Sequence, residues 1–143
     1  MKYRYLDDVA ISDIAFEAEG RTIEEVFVSA AEALAGAMVE DPASIGDGKS
    51  IEIRLEARDL EMLLFDFLSE LVYIKDAEGL LLRVEDMSIE QRGNALFLRA
   101  EAAGVPVREL QDLRADVKAV TMHQFRLKKK ENGAWCARVV LDI

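Results

Sequence analysis

One cysteine, one histidine and a shortage of basic charge set the first limits on this chain. Cys136 is the sole cysteine, so no disulfide forms within the chain and no thiolate cluster holds a metal. Its place among strand residues predicts a buried or half-buried, inert thiol. Long apolar runs are also missing. No stretch approaches the roughly 20 apolar residues of a membrane span, and Met1-Lys2-Tyr3-Arg4-Tyr5 lacks the apolar segment of a signal peptide. A cytoplasmic, reducing setting is the expectation. Lys and Arg number 18 against 28 Asp and Glu, a net charge of −10. Phosphate neutralisation needs basic surface, so no stable direct binding of nucleic acid is expected. An acidic body can still be steered to a positive protein partner. No Walker loop, HExxH, GxSxG, zinc-finger or EF-hand spacing is present.

What is present folds. Half the residues are apolar (51%) in a chain of 143 residues, enough for one domain spanning 1–143 with its own core. Residues 3–6 and 14–19 read as short strands around an acidic bend at Asp7-Asp8. Thr22 followed by Glu25 is a capping box. Behind it, Ile23, Val26, Phe27, Ala30, Ala31, Leu34 and Met38 recur at helical spacing. That helix should end before Asp41-Pro42. A polar loop over 43–50 leads to a strand in which Ile51, Ile53 and Leu55 alternate with charge. Asp59 suits the start of a second helix. Its stripe, Leu60, Leu63, Leu64, Phe67, Leu68 and Leu71, is plain core. A turn is expected at 76–79, strands at 80–85 and 95–100, and a loop or helical turn over 104–113. The fold class is α+β: two main helices on a mostly antiparallel or mixed sheet, closing with a C-terminal hairpin.

The hairpin can be read in register. Odd positions are mainly apolar in 117–127 and consistently so in 135–143. A three-residue loop, Glu131-Asn132-Gly133, keeps both sets inward, with Gly133 in the left-handed region. Carried along the strands, that register pairs Met122 with Asp142 and His123 with Leu141. It sets Asp142 on the outer face beside Lys118, Val120 and Met122.

These residues are also the chemical candidates. A hard cation gathers oxygen ligands from separate segments. Asp13 and Asp142 both interrupt apolar surroundings, Asp142 between Val-Val-Leu and Ile. Lys118 is either edge protection or a partner of carboxylate or phosphate. His123 is as readily structural as functional. Lys128-Lys129-Lys130 reads as a solvated turn, with a small basic contact patch as the lesser reading.

The same segments resemble the archease family along nearly the whole chain. Ser12-Asp13-Ile14-Ala15, the run from Gly20 to Phe27, and Ala30-Ala31-Glu32-Ala33-Leu34 look like the family's opening. Asp59, Leu63-Leu64 and Phe67-Leu68-Ser69-Glu70-Leu71 look like its central helix. Lys118-Ala119-Val120-Thr121-Met122-His123 and Leu141-Asp142-Ile143 look like its closing signature. The order and spacing together carry the resemblance.

The resemblance implies a non-catalytic protein that activates an RtcB-type RNA ligase in tRNA splicing and RNA repair. Archeases promote guanylylation of the ligase histidine with GTP and support turnover, so the link to tRNA is indirect. The resemblance also implies a bound divalent metal, calcium above all, at Asp13 and Asp142. It gives Lys118 a role in partner activation and His123 a supporting one. The family usually carries a histidine three residues before the first aspartate; this chain has Ala10-Ile11-Ser12-Asp13. Two other readings stay open: a metal-free protein-interaction module, and a small metal-dependent phosphoesterase using Asp13, His123 and Asp142.

Overall fold

The computed structural model describes residues 2–7, 13–46 and 48–143. Among the described residues, seven strands divide between two sheets, both wholly antiparallel. In chain order the elements are β1 (Lys2–Leu6), β2 (Asp13–Gly20), α1 (Ile23–Met38), β3 (Lys49–Ala57), α2 (Leu60–Glu78), β4 (Leu80–Arg92), β5 (Ala95–Pro106), β6 (Ala119–Lys129) and β7 (Trp135–Asp142). The four-stranded sheet runs β1-β2-β7-β6 and the three-stranded sheet β3-β5-β4. The helices are the layer common to both: α1 packs on β2 and β4, and α2 on β6, β4 and β3.

Helix α1 begins as its sequence predicts. The Thr22 hydroxyl accepts from the Glu25 N–H, and the Glu25 carboxylate accepts from the Thr22 N–H. Thr22→Ala removes one half of this reciprocal cap, and thermal unfolding should read a loss of about 1 kcal/mol. The helix ends at Met38, ahead of Pro42. Two of its last carbonyls are satisfied from afar: the Arg114 and Ala115 N–H groups donate to Met38 and Ala37 at 2.8 and 3.1 Å. The chain leading into β6 is thereby tied to the end of α1.

Helix α2 is capped by Asp59, whose side chain accepts from the Met62 N–H at 2.8 Å. It runs further than the sequence suggested. Residues 76–78 continue the helix, and only Gly79, at φ 65°, closes it as a left-handed cap. Phe67 and Phe27, both fully buried, stack at 6.0 Å where the helices meet. Strands β4 and β5 are also longer than expected, reaching Arg92 and Pro106. The added β4 residues 86–92 are mostly exposed, and the added β5 residues 101–106 are small and largely buried, so neither extension shows a clear apolar alternation. A bulge between Val84 and Asp86 resets the β4 register. Of the segment expected as loop or helical turn, residues up to 106 belong to β5 and a single 3₁₀ turn follows at Val107–Glu109.

The closing hairpin keeps the expected register only near its turn. Gly133 lies at φ 88°, and Lys129 pairs with Trp135, Leu127 with Ala137 and Arg126 with Arg138. The pairing then shifts: Thr121 opposes Val140, Val120 opposes Leu141 and Ala119 opposes Asp142. Four β6 residues, Met122 to Phe125, thus lie against the single residue Val139. The expected pairs Met122–Asp142 and His123–Leu141 do not form. Gln124 sits in the bulge at φ 54°, a conformation that costs a residue other than glycine about 1 kcal/mol. The bulge reverses which β6 positions face inward. Val120 is buried with the core instead of lying outside beside Asp142.

Candidate functional site

Asp13 opens β2 and Asp142 closes β7, and they are direct partners in the ladder. Ala119 is the partner of Asp142 on its other side. Directly opposed residues of an antiparallel pair project to the same face, with Cα atoms about 4.5–5.5 Å apart. Two half-buried carboxylates therefore share one end of the outer face. Ile14 and Leu141, beside them, turn to the core. The strand alternation that buries these two residues is what aims both aspartates outward.

Lys118 joins them through its backbone. Its N–H donates to the Asp142 carbonyl at 2.8 Å. Its side chain is exposed and forms no ion pair among the described residues. The approach to Lys118 is braced by Lys75 of α2, whose side chain is only 9% exposed. The Lys75 ammonium donates to Asp116 at 2.6 Å and to the Val117 carbonyl at 2.7 Å. It also pairs with Asp76 at 2.6 Å. Burial works to lower the pKa of this ammonium, but the bonds it donates to Asp116 and Asp76 outweigh it and hold the value above that of an ordinary lysine. The stabilisation is fully present below the ordinary lysine value and fades as pH rises through the higher folded one. Lys75→Met orphans the Val117 carbonyl, and urea unfolding should register a loss of about 1–3 kcal/mol.

His123 stands apart from the carboxylates, exposed in the β6 bulge. Its N–H donates to the Thr121 hydroxyl at 3.3 Å, and that hydroxyl donates to the Val140 carbonyl. Among the described residues no group of three or more His, Cys, Asp or Glu side chains is placed to hold a metal. The trio required by a metal-dependent phosphoesterase is therefore not assembled. The Asp13–Asp142 pair itself suits a hard cation in kind, since carboxylate oxygens are the preferred donors, but two carboxylates supply at most four of six to eight ligands. The pair fits an open site completed by water, backbone or partner oxygens, and does not form a closed cage. Ala10, the position where the resemblance implies a histidine, lies outside the described residues.

The neighbouring candidates resolve into structural roles. Cys136 is half-buried, and burial followed by the charge of Glu17 pushes its thiol pKa up, as befits an inert side chain. Lys130 donates to Glu19 at 2.8 Å, and Lys129 lies over the Trp135 ring at 5.8 Å. Gln124, Arg126 and Arg138, which sequence reasoning passed over, prove to be organised around the bulge. The Arg138 guanidinium donates to the Gln124 amide oxygen at 3.2 and 2.8 Å. Nothing in the sequence marks Gln124 as left-handed, so no signal could have found this group.

Fold and site define an α+β domain of two helices between antiparallel sheets, with paired carboxylates at one sheet end. The Archease protein family (MTH1598/TM1083) matches residues 3–143, and the chain belongs to that family. Protein archease of Pyrococcus furiosus is 36% identical over 92% of this chain and 93% of its own length. That of Archaeoglobus fulgidus is 34% identical over 100% of both. The solution structure of Methanobacterium thermoautotrophicum protein 1598 superposes with a TM-score of 0.84 at 30% identity, covering 99% of this chain and 98% of that one. A crystal structure from Thermotoga maritima, described as an archease and possible chaperone, shares the fold with a TM-score of 0.61 at 19% identity, over 94% and 93% of the two chains.

Proposed function

We propose that this archease is a non-catalytic activator of an RtcB-type RNA ligase. It promotes guanylylation of the ligase histidine with GTP and supports turnover in tRNA splicing or RNA repair, in the cytoplasm. The observation that carries the reading is the direct opposition of Asp13 and Asp142. Like charges placed face to face weaken a sheet, so a protein that keeps such a pair gains something from it. A divalent cation, calcium by the family resemblance, would be held by both carboxylates and would convert their repulsion into a cross-strand link. Its open coordination positions would accept oxygens of the ligase. Lys118, exposed beside the pair, would contact a carboxylate or phosphate of the partner. His123 would support the same surface through the bulge. Activation then consists of shifting the ligase population toward its guanylylation-competent state.

The test mixes the protein with its candidate ligase, GTP and Mn and follows ligase guanylylation. A rate that rises with archease concentration supports the reading. A rate unchanged across the series removes it. Folded Asp13→Ala, Asp142→Ala and Lys118→Ala proteins should each activate less; three normal activators would show the site to be misplaced. The absence of a third ligating side chain among the described residues favours one second reading, a metal-free interaction module. Calorimetry decides it: no heat with Ca, Mg or Mn, while the ligase complex still forms, selects the metal-free case.

A further inference from the structure

We infer that the outer face of the four-stranded sheet carries a phosphate-binding site at Arg126 and Arg138, distinct from the Asp13–Asp142 pair. The two arginines are direct ladder partners in β6 and β7, so two like charges face each other across adjacent strands, an arrangement that disfavours the sheet unless an anion lies between them. Among the described residues no carboxylate fills that role. Glu17 is the ladder partner of Arg138 on its other side, but it pairs with Arg4, whose Nε (3.0 Å) and a second nitrogen both donate to one Glu17 oxygen, and it forms no ion pair with Arg138. Arg138 is left with the neutral oxygen of Gln124. Arg126 is exposed and has no ion pair among the described residues.

The protein contains its own comparison. Arg54 and Arg99 are also directly opposed, in β3 and β5. There Glu52 lies between them, and one of its oxygens accepts from Arg54 at 3.1 Å and from Arg99 at 2.6 Å. One arginine pair is neutralised from within; the other is left open to an external anion. Gln124, Phe125, Arg126 and Arg138 line a shallow depression of about 480 Å³, ample for a phosphate group. A carboxylate offers two oxygens in one plane, which a single guanidinium fork satisfies. A tetrahedral phosphate presents oxygens to two forks at once. The bulge supports the site: left-handed Gln124 turns its amide oxygen onto Arg138 and fixes that guanidinium beside Arg126. Lys128, two residues along on the same face, opposes Cys136 and extends the positive charge. This end of the sheet is cationic on a chain whose net charge is −10, while its other end carries the paired aspartates.

Inorganic pyrophosphate and a short single-stranded RNA are the probes, each titrated into the isotope-labelled full chain with ionic strength matched by chloride. The arginine Nε–H resonances are followed by NMR. Saturable shifts at Arg126 and Arg138 are expected in the parent; in an Arg126→Gln, Arg138→Gln protein, followed through the backbone amides of Gln124 and Lys128, binding should be about tenfold or more weaker. A response to pyrophosphate alone supports the site and makes free phosphate compounds its source. A response to RNA alone supports it with backbone phosphate as the source. The inference is overturned if neither probe moves these resonances beyond the chloride control, or if the double variant binds as tightly as the parent. Ligase activation enters neither readout, so this result and that of the guanylylation assay are independent.

Discussion

Asp142→Asn is expected to make the protein more stable in chelator and less active. In metal-free buffer the parent holds two carboxylates in direct opposition across β2 and β7. Removing one charge while keeping the shape relieves about 0.2–1 kcal/mol of repulsion. Differential scanning calorimetry in chelator should show a small rise in Tm, about 1–3 °C. If the proposed site holds calcium, adding it should reverse the order. A ligand at a hundred times its Kd stabilises the folded state by about 2.7 kcal/mol, and the parent gains this while the variant gains little. The curves of Tm against calcium should therefore cross. In the ligase assay the same variant should activate about tenfold less or worse, the equivalent of one lost charge-assisted contact. The combination separates a site from a structural residue, because damage to the fold would lower stability and activity together. Curves that never cross would remove the cation from the mechanism, and normal activation by the variant would remove Asp142 from it.

The largest loss of stability is expected from Phe67→Ala. The ring is fully buried and stacks on Phe27 at 6.0 Å with the planes 28° apart. Both sheets reach the core through the two helices, and this contact lies between them. Truncation removes the transfer free energy of the ring and leaves a cavity that its neighbours cannot close. Aromatic-to-alanine changes of this kind cost about 3–5 kcal/mol, a large part of the 5–15 kcal/mol that holds a typical domain folded. The urea midpoint should fall accordingly. Phe67→Leu, which keeps most of the volume, should cost about 1.5 kcal/mol or less. Equal losses for the two substitutions would show that the stacking geometry, rather than the filled volume, is what matters there.

Much of this architecture is legible in the amino-acid sequence where one physical rule acts alone. Thr22 and Glu25 announce the start of α1 because no other arrangement satisfies both amides. Asp59 does the same for α2, and the Leu60–Leu71 stripe has one reading. Gly133 sets the hairpin turn, since a left-handed position there suits glycine. The rule fails where two patterns compete. Gln91 and Arg92 look like loop and are strand, because β4 is exposed on both faces at this end. Residues 76–78 look like a turn, yet the helix continues to the glycine that can cap it. The pairing of Asp142 is the sharpest case. Parity counted from the turn gives Met122 as its neighbour, and the ladder gives Ala119. Thr121 and Gln124 hold the difference, one by its hydroxyl bond to Val140 and the other by its backbone, and neither residue type advertises such a role. That Asp13 meets Asp142 was legible only through the family resemblance, since no turn or period fixes a pairing across 129 positions.

The β6 bulge has a consequence for the length of that strand. With four residues spanning the place of one, β6 carries slack. The hairpin is anchored at one end by its turn, and by the Leu127 N–H donating to Glu61 of α2 at 3.1 Å. The other end is anchored by Lys118 on Asp142 and by the tie of Arg114 and Ala115 to α1. Between these moorings the chain is longer than the distance it covers. Gln124 within that slack is held to the basic end through Arg138, so the surplus length sets the offset between the basic and the acidic end of the sheet.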